Sequence, residues 1–419
     1  MSSRVQSLAA HLTAASSSTQ APSTQTKVFG QIGKKSDDDI VIVDACRTAI
    51  GKANKGVFKD TTPDDLLCAA LVGLIGRTGI NPAIISDVVV GNCQMPGSYA
   101  GPSRAVQFRS GLSVTSGVHT LNRQCSSGLQ AVATVASYIE SGFLSVGVAA
   151  GVESMTFGGK VDVGSGAPFN KEATAASKLA SDTLISMGQT SENVAERYGV
   201  SREHQDAFAV ASHDKALKAQ KQGVFAREIV PVKLANGTLV TVDEGPRAGT
   251  TVQGLSKLKP AFKEGGSTTA GNASQVSDGA SAVLLMKRST AKAMRLPVLG
   301  TFRGFKVEGC EPDEMGVGPA VAIPSLLKDV ALDIQKVDVF EINEAFASQA
   351  LYCTRKLGIP LEKVNPNGGA IALGHPLGCT GNRQVATLLW ELRRTGQKLG
   401  VVSMCIGTGM GAAALFETE

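Results

Sequence analysis

The sequence predicts an α/β fold with helices covering a sheet, and three observations carry that prediction. From residue 39 onward, short apolar runs of strand character alternate with segments of helical pattern. The alternation occurs twice, in similar form, towards the two ends of the chain. Gly is frequent, at 47 residues, while aromatics supply only 5%, which suits tight turns and close helix–sheet contacts better than an aromatic-lined cage.

The 419 residues amount to two or three domains, and 43% hydrophobic against 18% charged residues fits a globular chain with a large core. A net charge of +5 is compatible with an anionic ligand but too small and dispersed to indicate nucleic acid. The longest apolar stretches, such as residues 144–152, fall far short of the roughly 20 residues a membrane span needs. Eight cysteines form no CxxC pair and no zinc-ligand spacing, so no metal is expected. With no secretory leader, free thiols in a reducing compartment are the default.

Residues 13–38 are rich in Ser, Thr, Gln and Ala, a composition too poor in apolar surface to offset ordering entropy, so disorder is expected there. Residues 39–46 (DIVIVDAC) have a buried-strand pattern. A helix over 63–76 is opened by Thr62-Pro63-Asp64-Asp65, with Pro at its first position and acids in its first turn. Strands follow at 87–90 and 118–122, a helix at 126–141 and a strand at 145–152. Residues 156–275 differ: a Gly/Ser/Ala-rich stretch, a polar helix at 201–222 and short strands at 228–233 and 238–242 read as an inserted subdomain facing a substrate. The pattern then resumes with a strand at 338–342, helices at 345–356 and 381–395, a strand at 400–406 and a closing strand. Two similar halves, about 39–155 and 290–419, are expected.

Four segments could carry chemistry. In Asn122-Arg123-Gln124-Cys125-Ser126-Ser127, a strand ends and a helix begins, placing Cys125 at a helix N-terminus. Free amides and the helix dipole there would stabilise a thiolate and an oxyanion; the alternative is a buried structural Cys. His375, between Gly374 and Pro376, sits on stiff and closely approached backbone, which suits a fixed imidazole. His204 and His213, on the polar helix, read as solvated. Cys405 ends a strand before a glycine run, well placed to project into a cleft. Too little chain follows the GxGxG there for a dinucleotide-binding helix. Asn343, in Glu341-Ile342-Asn343-Glu344, ends a strand and starts a helix, where capping is the plainer role.

Taken together, NRQCSSGLQA, NEAFA, GGAIALGHPLGCTG and SMCIGTGMGAA resemble the nucleophile, Asn, His and second-Cys motifs of the thiolase family. The likeness continues through SMGQTSENVA, SREHQDAFA, LKPAFKEGGSTTAGNASQVSDGA and MGVGPAVAIP. It covers roughly residues 39–418 and is nearest the peroxisomal 3-ketoacyl-CoA branch.

The resemblance implies two similar βαβαβαββ halves, in segments 39–290 and 291–419, packed as a five-layer αβαβα sandwich with the loop subdomain at about 156–275. It implies cleavage of a 3-ketoacyl-CoA by coenzyme A, a co-substrate, with no bound cofactor. Cys125 would be the nucleophile, His375 its base and Cys405 the acid for the departing carbon. Asn343 would hold a water on the enolate oxygen, and the N–H groups of Cys125 and Gly407 would hold the tetrahedral oxygen. Arg247 and Ser274 would contact CoA, with Met187, Met315 and Phe346 around the thioester and acyl chain. A homodimer in the peroxisomal matrix is implied as well. Residues 1–38 fit this as a targeting segment and linker. Arg4-Val5, five residues, then His11-Leu12 resemble the amino-terminal peroxisomal import signal, whose partner would be an import receptor. One departure is Ser186, where short-chain biosynthetic relatives carry His; it disfavours a thiolase restricted to acetoacetyl-CoA. Alternatives are that biosynthetic thiolase and a thiolase-like lipid-carrier protein.

Overall fold

The computed structural model describes residues 28–158 and 168–419; Arg4, Val5, His11 and Leu12 lie outside them. The N-terminal half runs β1 (Ile40–Arg47), α1 (Pro63–Thr78), β2 (Asp87–Gly91), α2 (Ala100–Arg109), β3 (Gly117–Leu121), α3 (Ser127–Glu140) and β4 (Val146–Ser154). The insert contributes α4 (Met187–Arg197) and α5 (Arg202–Lys221), after which β5 (Ser277–Lys287) completes the half. The C-terminal half runs β6 (Gly300–Gly309), α6 (Gly318–Asp329), β7 (Val339–Ile342), α7 (Ala347–Lys356), α8 (Leu377–Thr395), β8 (Leu399–Ile406) and β9 (Met410–Glu417).

The strands are ordered β3-β2-β4-β5-β1-β6-β9-β8-β7. In the first half β2 lies parallel to β3 and β4, while β5 is antiparallel to β4 and β1. The second half repeats this: β7 is parallel to β8, and β9 is antiparallel to β8 and β6. Val364, bridging Phe340 of β7 in parallel, stands where β3 stands on β2. The halves join through the pairs Val41↔Thr301 and Ile42↔Gly300.

Both faces of each sheet are covered, so the strands are apolar on both faces and successive residues enter different layers. Val41, Val43, Val88, Val90, Leu284 and Met286 face α1 on the outside, packing against its Leu66, Leu67, Leu71 and Leu74. Burying each such leucine contributes roughly 1.5–3 kcal/mol, far more than the few tenths per residue of helix propensity. Ile40, Ile42, Val89, Val283 and Leu285 point the other way, into a layer built from α3 and α8. Val402, Met404, Ala412 and Phe416 of the second half close that layer from the far side. Val401, Ala413 and Leu415 face outward onto α6. The result is five layers, α-β-α-β-α, with α3 and α8 in the middle. No helix among the described residues is long and apolar enough to cross a membrane.

The insert is fastened to β1 by a buried ion cluster. The Arg47 guanidinium donates to Glu228 Oε1 at 2.6 Å and to both Asp243 oxygens at 2.6 and 2.9 Å. This bidentate geometry is what a buried pair needs to offset its desolvation.

Five elements were not read from the sequence. β5 and β6 sit among the central strands and carry Ser, Asp, Gly, Arg and Lys, which blur the apolar run. α2 and α4 went unread, and α6 contains Pro324 within its span. The insert's strands are shorter than expected, Val232–Lys233 with Leu239–Val240, because Ile229 bridges Arg47 instead. The disorder expected up to residue 38 does not extend over residues 28–38, which lie packed along the second half. The Phe29 ring meets Phe302 edge-on at 4.9 Å, Arg303 Nη2 donates to Lys34 O at 2.8 Å, and Gly33 N donates to Glu417 at 2.8 Å.

A Cβ on Gly151 in β4 would lie 2.3 Å from the carbonyl oxygen of Gly378 in α8. Backbone cannot yield there as a flexible side chain would. Gly151→Ala is therefore expected to cost about 1–3 kcal/mol of stability, read as a lowered urea midpoint at fixed protein concentration.

Candidate active site

Cys125 stands in the turn between β3 and α3. The residue before it, Gln124, has φ +48°, a left-handed conformation that costs a non-glycine residue roughly 1–3 kcal/mol and persists only where neighbours enforce it. Here Asn122 Oδ1 accepts from Gln124 N at 2.8 Å, and Ser127 Oγ accepts from Arg123 N at 2.9 Å while donating to Gln124 O at 2.6 Å. Asn122 Nδ2 ties the turn to Cys93 O at 2.9 Å.

The expectation that the helix N-terminus depresses the thiol's pKa is not met. Helical residues start at Ser127, two positions beyond Cys125. The donors that favour a negative sulfur are the backbone N–H of Gly407 and Cys125's own N–H. Burial outweighs both and pushes the thiol up to about 11, with the charge of Glu153 adding to the rise.

His375 lies between the short helical turn Ala370–Leu373 and α8. Gly374 has φ +110°, and a Cβ there would strike Ser277 Oγ at 2.3 Å, so the imidazole is delivered by backbone that tolerates no side chain. His375 N donates to Gln275 O at 3.1 Å. On the ring, Nδ1 meets Thr380 Oγ1 at 2.7 Å and Nε2 meets Asn343 Nδ2 at 3.2 Å. Thr380 Oγ1 also donates to Pro376 O at 3.2 Å, so it accepts from Nδ1–H. An amide nitrogen only donates, so Nε2 carries the lone pair, and the network assigns the tautomer a base needs. Burial, then the charge of Arg383, hold the imidazole's pKa down to about 3. Asn343 Oδ1 is buried without a hydrogen-bond partner, an acceptor suited to a water.

Cys405, near the end of β8, is fully buried among Met315, Ala345 and Phe346. Its thiol is held well above the ordinary range by burial and by the neighbouring sulfurs of Cys125, Cys353 and Cys310. The hairpin after it carries Gly407 to Cys125, turning through Thr408 at φ +75° and Gly409 at φ +95°.

A cleft of about 310 Å³ unites most of the residues singled out from sequence: Cys125, Met187, Ser274, Met315, Phe346, His375 and Gly407 line it. Asn343 and Cys405 lie behind its wall. Ser186 also lines it and caps α4, its Oγ accepting from Gln189 N at 3.4 Å. Arg247 is placed elsewhere, exposed, beside a small neighbouring pocket; Gln275 lines both pockets. The solvated reading of His213 is overturned: it is buried, and its Nδ1 accepts from Arg247 N at 3.2 Å. Among the described residues no group of His, Cys, Asp and Glu is arranged to hold a metal ion.

Sequence reasoning missed Glu153, Cys93, Gln275 and Phe262. Glu153 alone left a signal, a carboxylate at the end of an otherwise apolar strand.

A thiol near 11 beside an imidazole near 3 rests as a neutral pair. Iodoacetamide labelling of Cys125 in the free protein should therefore keep rising beyond pH 9, because only thiolate reacts. A plateau near pH 7 would reveal an ion pair and contradict the assignment. Cys46, Cys353, Cys379 and Cys405 are buried, so Cys125 should label well ahead of them by mass spectrometry.

The chain matches two family models, the thiolase N-terminal domain over residues 40–289 and the thiolase C-terminal domain over residues 296–418. Peroxisomal 3-ketoacyl-CoA thiolase B of Rattus norvegicus is 54% identical over 424 residues, with 99% of each chain covered. The dimeric peroxisomal thiolase of Saccharomyces cerevisiae superposes with a TM-score of 0.89 at 51% identity, over 92% of this chain and 99% of that one. Human mitochondrial 3-ketoacyl-CoA thiolase in complex with CoA superposes with a TM-score of 0.85 at 34% identity, over 94% and 100%. With the layered halves, the cysteine–histidine cleft and these likenesses in agreement, the chain belongs to the thiolase family.

Proposed function

We propose that the chain cleaves 3-ketoacyl-CoA with coenzyme A, in fatty acid β-oxidation, to give acetyl-CoA and a shortened acyl-CoA. One observation carries the assignment of roles. Cys125, His375 and the Gly407 amide converge on a single cleft, with Cys405 and Asn343 directly behind it. His375 Nε2 takes the proton as Cys125 sulfur attacks the 3-keto carbon. The amides of Cys125 and Gly407 receive the oxygen that becomes negative. The C2–C3 bond breaks with its electron pair on C2, and Cys405 protonates that carbon. His375 and a water on Asn343 Oδ1 stabilise the enolate oxygen, and the proton on His375 returns to Cys405. Coenzyme A, deprotonated by His375, then displaces Cys125 from the acyl thioester.

Thiolate suits this work because it is both a good nucleophile and a good leaving group. Ser274 faces the pantetheine end of CoA, Arg247 lies further out towards its phosphates, and Met187, Met315 and Phe346 surround the acyl chain. The short Ser186 side chain on the cleft supports a wider acyl range than acetoacetyl alone.

The curated relatives carry peroxisomal names and the Saccharomyces cerevisiae thiolase is dimeric, which supports a peroxisomal homodimer addressed by Arg4, Val5, His11 and Leu12. Deleting residues 1–27 should leave specific activity near wild type. Arg4→Ala combined with His11→Ala should leave the protein cytosolic, and peroxisomal import of that double variant would refute the address.

The two cysteines separate by chemistry. Cys125→Ser should abolish both carbon–carbon cleavage and acyl exchange between acetyl-CoA and labelled CoA. Cys405→Ser should still exchange label while losing about 10²- to 10⁴-fold in cleavage, the usual worth of a general acid. Loss of exchange in Cys405→Ser as complete as in Cys125→Ser would overturn this division.

A further inference from the structure

Glu153 is the penultimate residue of the buried strand β4 and is fully enclosed. Among the described residues, no Lys, Arg or His pairs with it. Its three hydrogen bonds come from backbone: Oε2 accepts from Cys93 N and Gly378 N, and Oε1 from Gln94 N, each at 2.9 Å. Those amides belong to two separate segments. Cys93 and Gln94 lie in the loop after β2, whose Cys93 O receives Asn122 Nδ2 at 2.9 Å and whose Cys93 Sγ meets Gln124 Oε1 at 3.3 Å. Gly378 lies in the first turn of α8, three residues beyond His375. One carboxylate thus fastens the backbone bearing His375 to the backbone that braces the Cys125 turn.

We propose that Glu153 is a positioning residue of the reaction, holding the His375 segment against the Cys125 turn. When ionised it also adds to the burial that opposes Cys125 thiolate formation. This rests on the roles given above to Cys125 and His375. A glutamine cannot do the same work, because its NH₂ would oppose a backbone N–H at one end of the clamp. The titratable groups facing Glu153 are Cys93 on the β2 loop, Cys125 on the turn before α3, Asp278 on β5 and Cys379 on α8. None supplies positive charge. Burial, with Asp278 a smaller contributor, raises the carboxyl to about 7 against the pull of the three amides. It is therefore mostly neutral below that pH and charged above it.

The experiment compares Glu153→Gln and Glu153→Asp with wild type, using iodoacetamide labelling of Cys125 in the free enzyme from pH 6 to 10 and steady-state cleavage. At pH 6 the Gln variant and wild type are both neutral at this position, so the ratio of the two labelling rates there records the loosened clamp alone and serves as the baseline. Above pH 8 the Gln variant should label about 3- to 10-fold faster relative to that baseline, because one pKa unit is tenfold in thiolate at fixed pH. Its kcat should fall about 10- to 100-fold, with KM for CoA within about twofold, as expected of misplaced catalytic groups. The Asp variant, which keeps the charge but shortens the clamp, should keep the wild-type labelling profile and lose kcat. A Gln variant that labels in parallel with wild type at every pH overturns the proposal, whatever its kcat; so does an Asp variant that labels like the Gln variant. Labelling requires no turnover, so failure of the thiolase roles would show separately, as cleavage surviving in Cys125→Ser.

Discussion

Gly151 and Gly378 meet backbone to backbone, and the rest of the site depends on that contact. A Cβ on Gly378 would fall 2.5 Å from Asn92 Cα, and one on Gly381 would fall 2.2 Å from Leu129 N. The start of α8 therefore lies directly on the ends of β2 and β4 and on the first turn of α3. Cys125 lies two residues before α3 and His375 two residues before α8. Bringing these two helix starts together within the middle layer brings Cys125 and His375 into one cleft. Side chains of any size there would part the halves and separate the reacting groups, even with each motif intact.

The same enclosure sets the electrostatics. Removing groups from water penalises their charged forms, so the Cys125 and Cys405 thiols are pushed up and the His375 imidazole down. The cysteine–histidine pair therefore rests neutral. The Gly407 and Cys125 amides favour a negative Cys125 sulfur, and Asn343 fixes the imidazole through Nε2 while its Oδ1 stays open. A dry site in which donors need no reorganisation is where such dipoles act most strongly.

The insert plays a different part. Arg47, Glu228 and Asp243 anchor it to β1, and α4 then presents Met187 to the cleft with Ser186 as its cap. Met187 and Ser186 come to the cleft from this fastened layer, while Cys125, Met315, Phe346, His375 and Gly407 come from the two halves beneath it.

Local chemistry was legible in the amino-acid order. Strand endings, capping residues and glycine turns located Cys125, His375, Asn343 and Cys405, and the repeated alternation announced two layered halves. Legibility failed where the deciding neighbour is remote in sequence. β5 and β6 read poorly because central strands contacting helices on both faces need no alternation. Residues 28–38 looked unstructured, yet Phe29 finds Phe302 and Arg303 finds Lys34 O across more than 260 positions. His213 looked solvated on a polar helix until the insert folded Arg247 over it, and Glu153 gave no hint of the amides it gathers from residues 93, 94 and 378. By itself the sequence determined which residues stand at turns and in what local conformation, because backbone preferences act over a few residues. Only the tertiary structure decided which of them meet and which are charged, because desolvation and long-range packing are set by groups hundreds of residues away.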